Sequence, residues 1–210
     1  MSAPIFDLDA LFAPGFQIPC GPGQATMRVS EIGKLALPTG QVAVTAAPAK
    51  PDPRIFAEPV APGQHRVQVA RAEFSGLTDW PEALIAAVKL MVSDDPIVAW
   101  QPSAFDRIIP GEPIGAYRVD GGAGCLGSPE VFAAIATDAR HHRAVADATA
   151  RVAPDGATVC SVPEIGAGLA ITAAGWGNGN YTTWAGYAAN GAIAALVTDF
   201  DIFGAEESAG

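Results

Sequence analysis

Hydrophobic and polar positions alternate most clearly on either side of Asn190-Gly191. Aromatic and β-branched residues flank this dipeptide, the pattern of a two-residue β-hairpin whose central residues both take positive φ. A loop at Asn190-Gly191 places Tyr187 opposite Ala194, Ala185 opposite Leu196, Thr183 opposite Thr198, and Tyr181 opposite Phe200. These residues share one face, which reads as the core side. Thr182, Trp184 and Gly186 fall on the other face with Ala195, Val197 and Asp199, so Asp199 comes beside a large aromatic on the less apolar side. A one-residue slip would exchange the two faces.

Elsewhere the alternation predicts strands over residues 41–45, 65–70, 97–101, 116–120, 157–162 and 167–173. Two helices are predicted. One covers residues 80–92, with Asp79 as cap, Glu82 completing a capping box, and a Leu84, Ala87, Val88, Met91 stripe. The other starts at Ser128 as N-cap with Pro129 at its first position. It continues through Val131, Ile135, Ala139, His142 and Val145 to about Ala150, before Pro154-Asp155-Gly156. Prolines at 48, 51, 53, 59 and 62 make residues 46–63 an irregular connection. Those at 4, 14, 19 and 22 make residues 1–30 an extended N-terminal arm. The fold class expected is α+β and β-rich, mostly antiparallel, with about two helices and a C-terminal β-hairpin. Residues 31–204 form a single domain and 205–210 a tail.

Several short motifs occur in order along this framework. They are Leu37-Pro38-Thr39-Gly40-Gln41-Val42-Ala43-Val44, Ala61-Pro62-Gly63-Gln64-His65-Arg66-Val67-Gln68-Val69, Val98-Ala99-Trp100, and the loop Tyr117-Arg118-Val119-Asp120-Gly121-Gly122-Ala123-Gly124-Cys125. With the C-terminal hairpin, this series resembles the bacterial family known as domain of unknown function 4241, over roughly residues 35–202. The resemblance implies a fold type and no established activity. It also marks a departure: the family's Gly-Asp-Gly-x-Tyr stands here as Gly177-Asn178-Gly179-Asn180-Tyr181. Any charge-dependent role of that aspartate is lost at Asn178.

Composition narrows the functional classes. Half of the 210 residues are apolar and 16% are charged, which excludes wholesale disorder. A net charge of -10 disfavours nucleic acid and anionic membranes and would attract a basic protein partner. The first residues lack the pattern of a signal peptide, and no apolar run reaches membrane-spanning length. Cys20, Cys125 and Cys160 lack metal-ligand spacing and read as reduced thiols of a cytoplasmic protein.

Candidate chemistry is sparse. Gly122-Ala123-Gly124-Cys125-Leu126-Gly127 matches G-x-G-x-x-G, but the predicted helix begins only after its last glycine, so it reads as a strand-to-helix turn. Asp120 and Asp199 each end a strand and would make a cation or acid–base site if they converged, with Glu112 or Asp201 as a third member. His141 and His142 point about 100° apart on a helix and cannot share a metal; His65 sits in a strand. No nucleophile elbow, zinc-protease or phosphate-loop motif is present, and no metal or cofactor is expected. Trp176, Tyr181, Trp184 and Tyr187 cluster within the hairpin region; Trp176 and Trp184 are the surface candidates and the two tyrosines the core ones. The preferred expectation is therefore a non-enzymatic protein-binding domain of accessory or immunity type, using an exposed patch that joins Trp176 and Trp184 to acidic side chains, with Asn178 a further ligand- or partner-binding candidate. The alternative is an enzyme or ligand binder near Asp120 and Asp199.

Overall fold

The computed structural model describes residues 7–48, 52–110, 113–152 and 156–204. In chain order, a short helix α1 (Leu8–Leu11) precedes strands β1 (Gln17–Cys20), β2 (Gly23–Leu37), β3 (Ala43–Ala46) and β4 (Arg54–Ile55). Next come β5 (Gly63–Ser75), β6 (Ala83–Met91), β7 (Ile97–Pro102), β8 (Ala116–Val119) and β9 (Ala123–Gly127). Helices α2 (Pro129–Thr137) and α3 (Ala139–Val152) lead to β10 (Ala157–Val162), β11 (Ala167–Ala173), β12 (Gly179–Ala188) and β13 (Ile193–Asp199). The fold is thus α+β and β-rich, and every strand pairing is antiparallel.

The larger sheet runs β1-β2-β5-β6-β13-β12-β7, with β8 joined to the first part of β12. The smaller runs β10-β11-β9-β3-β4. β2 connects them: it pairs with β5 along its length, while its second half packs against β10 and β11. A bulge at Glu31–Gly33 bends it there. Gly33 has φ +142°, and a Cβ on it would come within 3.3 Å of Val159 on β10. Between the sheets lie Leu35, Leu37, Val67, Leu90, Leu169, Ile171 and Phe200, all buried. Burying side chains of this size stabilises by roughly 1.5–3 kcal/mol each.

The six short strands expected from alternation all form, some longer than expected. Three expectations are corrected. Residues 83–91 are not a helix but β6, between β5 and β13 and buried almost throughout. A strand covered on both faces is apolar at nearly every position, so it contains a helical stripe by default. Residues 17–30 are not an arm laid over the domain: they supply β1 and half of β2, with Pro19 on the edge strand, where a missing N–H is tolerated. The second helix breaks in two at Asp138, whose extended backbone ends α2. Its Oδ1 accepts the Arg140 N–H at 2.8 Å and so caps α3. The break resets the helical phase, burying Val145, Ala148 and Val152 and exposing Ala139 and His142. The part of the expected stop at 154–155 lies outside the described residues.

The C-terminal hairpin keeps the expected register at Thr183↔Thr198 and Ala185↔Leu196, and the two buried threonine hydroxyls lie 2.8 Å apart. Its loop differs. Only Gly191 has positive φ, +81°, and the Gly191 N–H donates to Ala188 O at 2.9 Å. The loop therefore holds three residues, 189–191, and the ladder shifts so that Tyr187 faces Ile193. Tyr181 pairs with Tyr117 of β8, while its ring still meets Phe200 edge-on at 5.2 Å.

Candidate functional site

Two glycine-rich loops meet at one end of the molecule. Residues 120–122 join β8 to β9, and residues 174–178 join β11 to β12. Asn178 ties them together: its Oδ1 accepts the N–H groups of Gly121 at 2.7 Å and Gly122 at 3.1 Å. The Ala174 N–H donates to Gly122 O at 3.0 Å. The Tyr181 hydroxyl, 2.9 Å from Gly177 O, holds the second loop from below. Gly175 has φ +46°, and a Cβ there would lie 2.7 Å from Ile202 Cγ2 and 2.9 Å from Phe200 O. No other residue fits that corner without displacing β13's end.

Asn178 therefore acts as an uncharged acceptor for two backbone amides. An aspartate in place of Asn178 would keep an acceptor oxygen there and add a charge.

Trp176 stands on this pinned loop and is 52% exposed. Its ring is stacked 6.4 Å from Phe74 at the end of β5 and meets Trp80 edge-on at 5.1 Å; Phe74 and Trp80 are 5.0 Å apart. Trp80, 39% exposed, comes from the β5–β6 loop, closed where the Phe74 N–H donates to Glu82 O at 2.9 Å. Asp79 and Glu82, both exposed, bracket it. Beside Trp176 a cleft of about 510 Å³ runs between the glycine loops and α3, lined by Gly122, Leu84, Thr149 and Ala150 among others. Sequence reasoning missed Trp80 and Phe74, because residues 80–92 read as a helix and Phe74 lies beyond the strand expected over 65–70. The available signal was Gly76 and Pro81, turn formers on either side of Trp80.

The other candidates separate. Trp184 is 7% exposed, so its expected surface position is corrected. It lies in a strand paired on both edges, and the Trp100 ring of β7 covers neighbouring Gly186, closing the face that read as less apolar. Asp120 is ion-paired with Arg118, Nε to Oδ1 at 2.8 Å. The two line a polar pocket of about 210 Å³ with Asn178 and Asn180. Asp199 lies across β12 from that pocket, about 10 Å away by strand spacing alone. Its Oδ1 accepts the Asp201 N–H at 2.9 Å. Burial pushes its carboxyl up to about 6, with the Asp201 charge adding to the rise and the backbone bond opposing it. The structure thus brings Asp120 to Asn178 and leaves Asp199 with Asp201; Glu112 lies outside the described residues.

Among the described residues no three His, Cys, Asp or Glu side chains form a group able to hold a metal ion. All three cysteines are free, and burial raises each thiol above its ordinary value, opposite to the shift that makes a reactive nucleophile. The G-x-G-x-x-G stretch is mostly strand β9, flanked by β3 and β11, with the Tyr117 hydroxyl against Gly124. No helix among the described residues is long and apolar enough to cross a membrane.

A family model described as a protein of unknown function (DUF4241) matches residues 35–198, from the last three residues of β2 to the penultimate residue of β13. No curated protein and no solved structure matches the chain. The match takes in both glycine loops and Trp80, and on this extent the chain belongs to the DUF4241 family.

Proposed function

We propose that this chain is a non-enzymatic protein-binding domain of accessory or immunity type that docks a partner through Phe74, Trp80 and Trp176. The observation that carries the reading is the exposed pair of edge-to-face tryptophans held on loops that cannot easily relax. Tryptophan supplies large contact area with few rotors, and a pre-fixed ring loses little entropy on docking. Asp79 and Glu82 beside Trp80, with the overall charge of -10, suit a basic partner. The cytoplasm remains the compartment expected for the reduced thiols.

The test is affinity capture from native cell extract by wild-type chain and by a Trp80→Ala/Trp176→Ala variant. Titration of the captured protein, once purified, completes it. Affinity is expected to fall about tenfold or more in the variant, as for tryptophan hot spots generally. Equal affinity of both chains contradicts the docking surface.

A second reading, small-ligand binding at the glycine loop that follows Asp120, is favoured by the 510 Å³ cleft lined by Gly121 and Gly122, whose size suits a small molecule. Ala150→Trp would fill that cleft from α3. Loss of a bound metabolite in the variant, with partner capture intact, would favour this reading over docking.

A further inference from the structure

The surface around Trp80 and Trp176 carries one sign of charge. Three segments meet there: residues 74–82, the loop 174–178, and the end of β13 with the turn after it, 199–204. Phe74 stacks with Trp176, and a Cβ on Gly175 would strike Phe200 and Ile202. Together the three segments hold Asp79, Glu82, Asp199 and Asp201 and no lysine, arginine or histidine. Asp79, Glu82 and Asp201 are exposed. The pattern elsewhere is different: Asp52, Asp94, Asp120 and Asp138 each stand beside an arginine. Glu73 precedes Phe74 but points to the other face of β5, where it takes Arg28.

Carboxylates alone would not select an occupant; the rings beside them do. Phe74, Trp80 and Trp176 touch one another, yet Trp176 stays 52% exposed and Trp80 39%. The face of an indole ring attracts cations more strongly than that of any other side chain. Neighbouring carboxylates add to that attraction and repel an acidic partner. Arginine matches both features at once. Its planar guanidinium is weakly hydrated, stacks flat on an aromatic ring, and keeps in-plane N–H groups for a carboxylate at the rim. The lysine ammonium is a strongly hydrated point charge and stacks less well.

We propose that the partner, on the reading that it docks through Phe74, Trp80 and Trp176, presents an arginine-bearing segment to this surface. One guanidinium stacks on Trp176, and the positive charge around it faces Asp79, Glu82 and Asp201.

Nuclear magnetic resonance on the full chain, read at the indole N–H signals of its four tryptophans, tests this. The probes are a glycine-spaced peptide with three arginines and the same peptide with lysine or citrulline, which keeps the planar shape without the charge. At low salt the arginine peptide should shift the Trp80 and Trp176 signals saturably and leave Trp100 and Trp184 in place. The lysine peptide should bind about threefold more weakly, and the citrulline peptide about tenfold. Trp176→Ala and the pair Asp79→Asn/Glu82→Gln should each weaken the arginine peptide about threefold, with the Trp100 and Trp184 signals unmoved as the mark of an intact fold. Three results would overturn the proposal: no saturable shift at Trp80 or Trp176, citrulline or lysine binding as tightly as arginine, or arginine affinity indifferent to both variants. Failure of the docking surface itself reads differently, because the captured partner would then bind the Trp80→Ala/Trp176→Ala variant as tightly as the wild type. A partner that needs both tryptophans, beside an arginine peptide that shifts neither, overturns the arginine alone.

Discussion

Trp176 and Trp184 lie in one continuous aromatic segment and have opposite surroundings. Trp176 stands on a loop fixed by glycines and by the amide acceptor of Asn178, and half of it faces solvent. Trp184 sits in β12, with β13 on one edge and β7 on the other, and is buried. The difference teaches that aromatic content alone does not mark a surface. What separates the two rings is whether the backbone beneath is paired with neighbouring strands or lies in a loop that Asn178 ties to the Gly121 and Gly122 amides of the loop beside it. A strand paired on both edges in a covered sheet has no solvent side left. A loop held by Asn178 presents its ring outward at little risk to the core.

The largest effect that would break this comparison is on stability. Trp184→Ala should cost roughly 3–5 kcal/mol in urea unfolding, whereas Trp176→Ala should cost less than about 1. Similar losses at both sites would mean that Trp176 is as much part of the core as Trp184.

The loop's own anchor comes next. Asn178→Leu removes the acceptor of the Gly121 and Gly122 amides and should destabilise by about 2 kcal/mol, while Asn178→Asp should change stability by less than about 1. Thermal melts of the two variants measure this directly. Equal losses would show that the amide contacts do not hold the loop.

A smaller effect separates the buried end of β13 from the exposed acids. The Asp199 carboxyl is pushed up to about 6 in the folded chain, against about 3.9 unfolded. Between those values the folded state binds more protons than the unfolded one. The contribution is therefore fully present below about pH 4 and is lost as pH rises through about 6. Asp199→Asn should relieve the charged form's cost and stabilise the chain at pH 8 by about 1 kcal/mol, with little change at pH 4. A variant with the wild-type slope between pH 4 and 7 would show that another group carries the dependence.

Sequence patterns revealed the strands that alternate and the register of Thr183 and Ala185, because period-two patterning and turn residues are local. They misplaced β6, since full burial erases alternation. They missed β1 and β2, where proline-rich surroundings and the Gly33 bulge interrupt it. The hairpin loop was located but not its type: Asn190 keeps negative φ, and its Oδ1 instead accepts the Ala192 N–H at 2.9 Å. At the candidate site, Trp176 and Asn178 stood out as an exposed aromatic and an odd residue in a glycine motif. The partners that give them meaning did not. Gly121 is separated from Asn178 by 57 positions, and Trp80 and Phe74 reach Trp176 only because β5 and β6 end beside the β11–β12 loop. Nothing local encodes such meetings.

The most direct test of the docking surface is hydrogen–deuterium exchange on the captured complex, compared with the free chain. Slowed exchange concentrated in residues 74–82 and 174–178 is the predicted result. Protection elsewhere, with both loops exchanging as in the free chain, would contradict a partner surface built on Trp80 and Trp176.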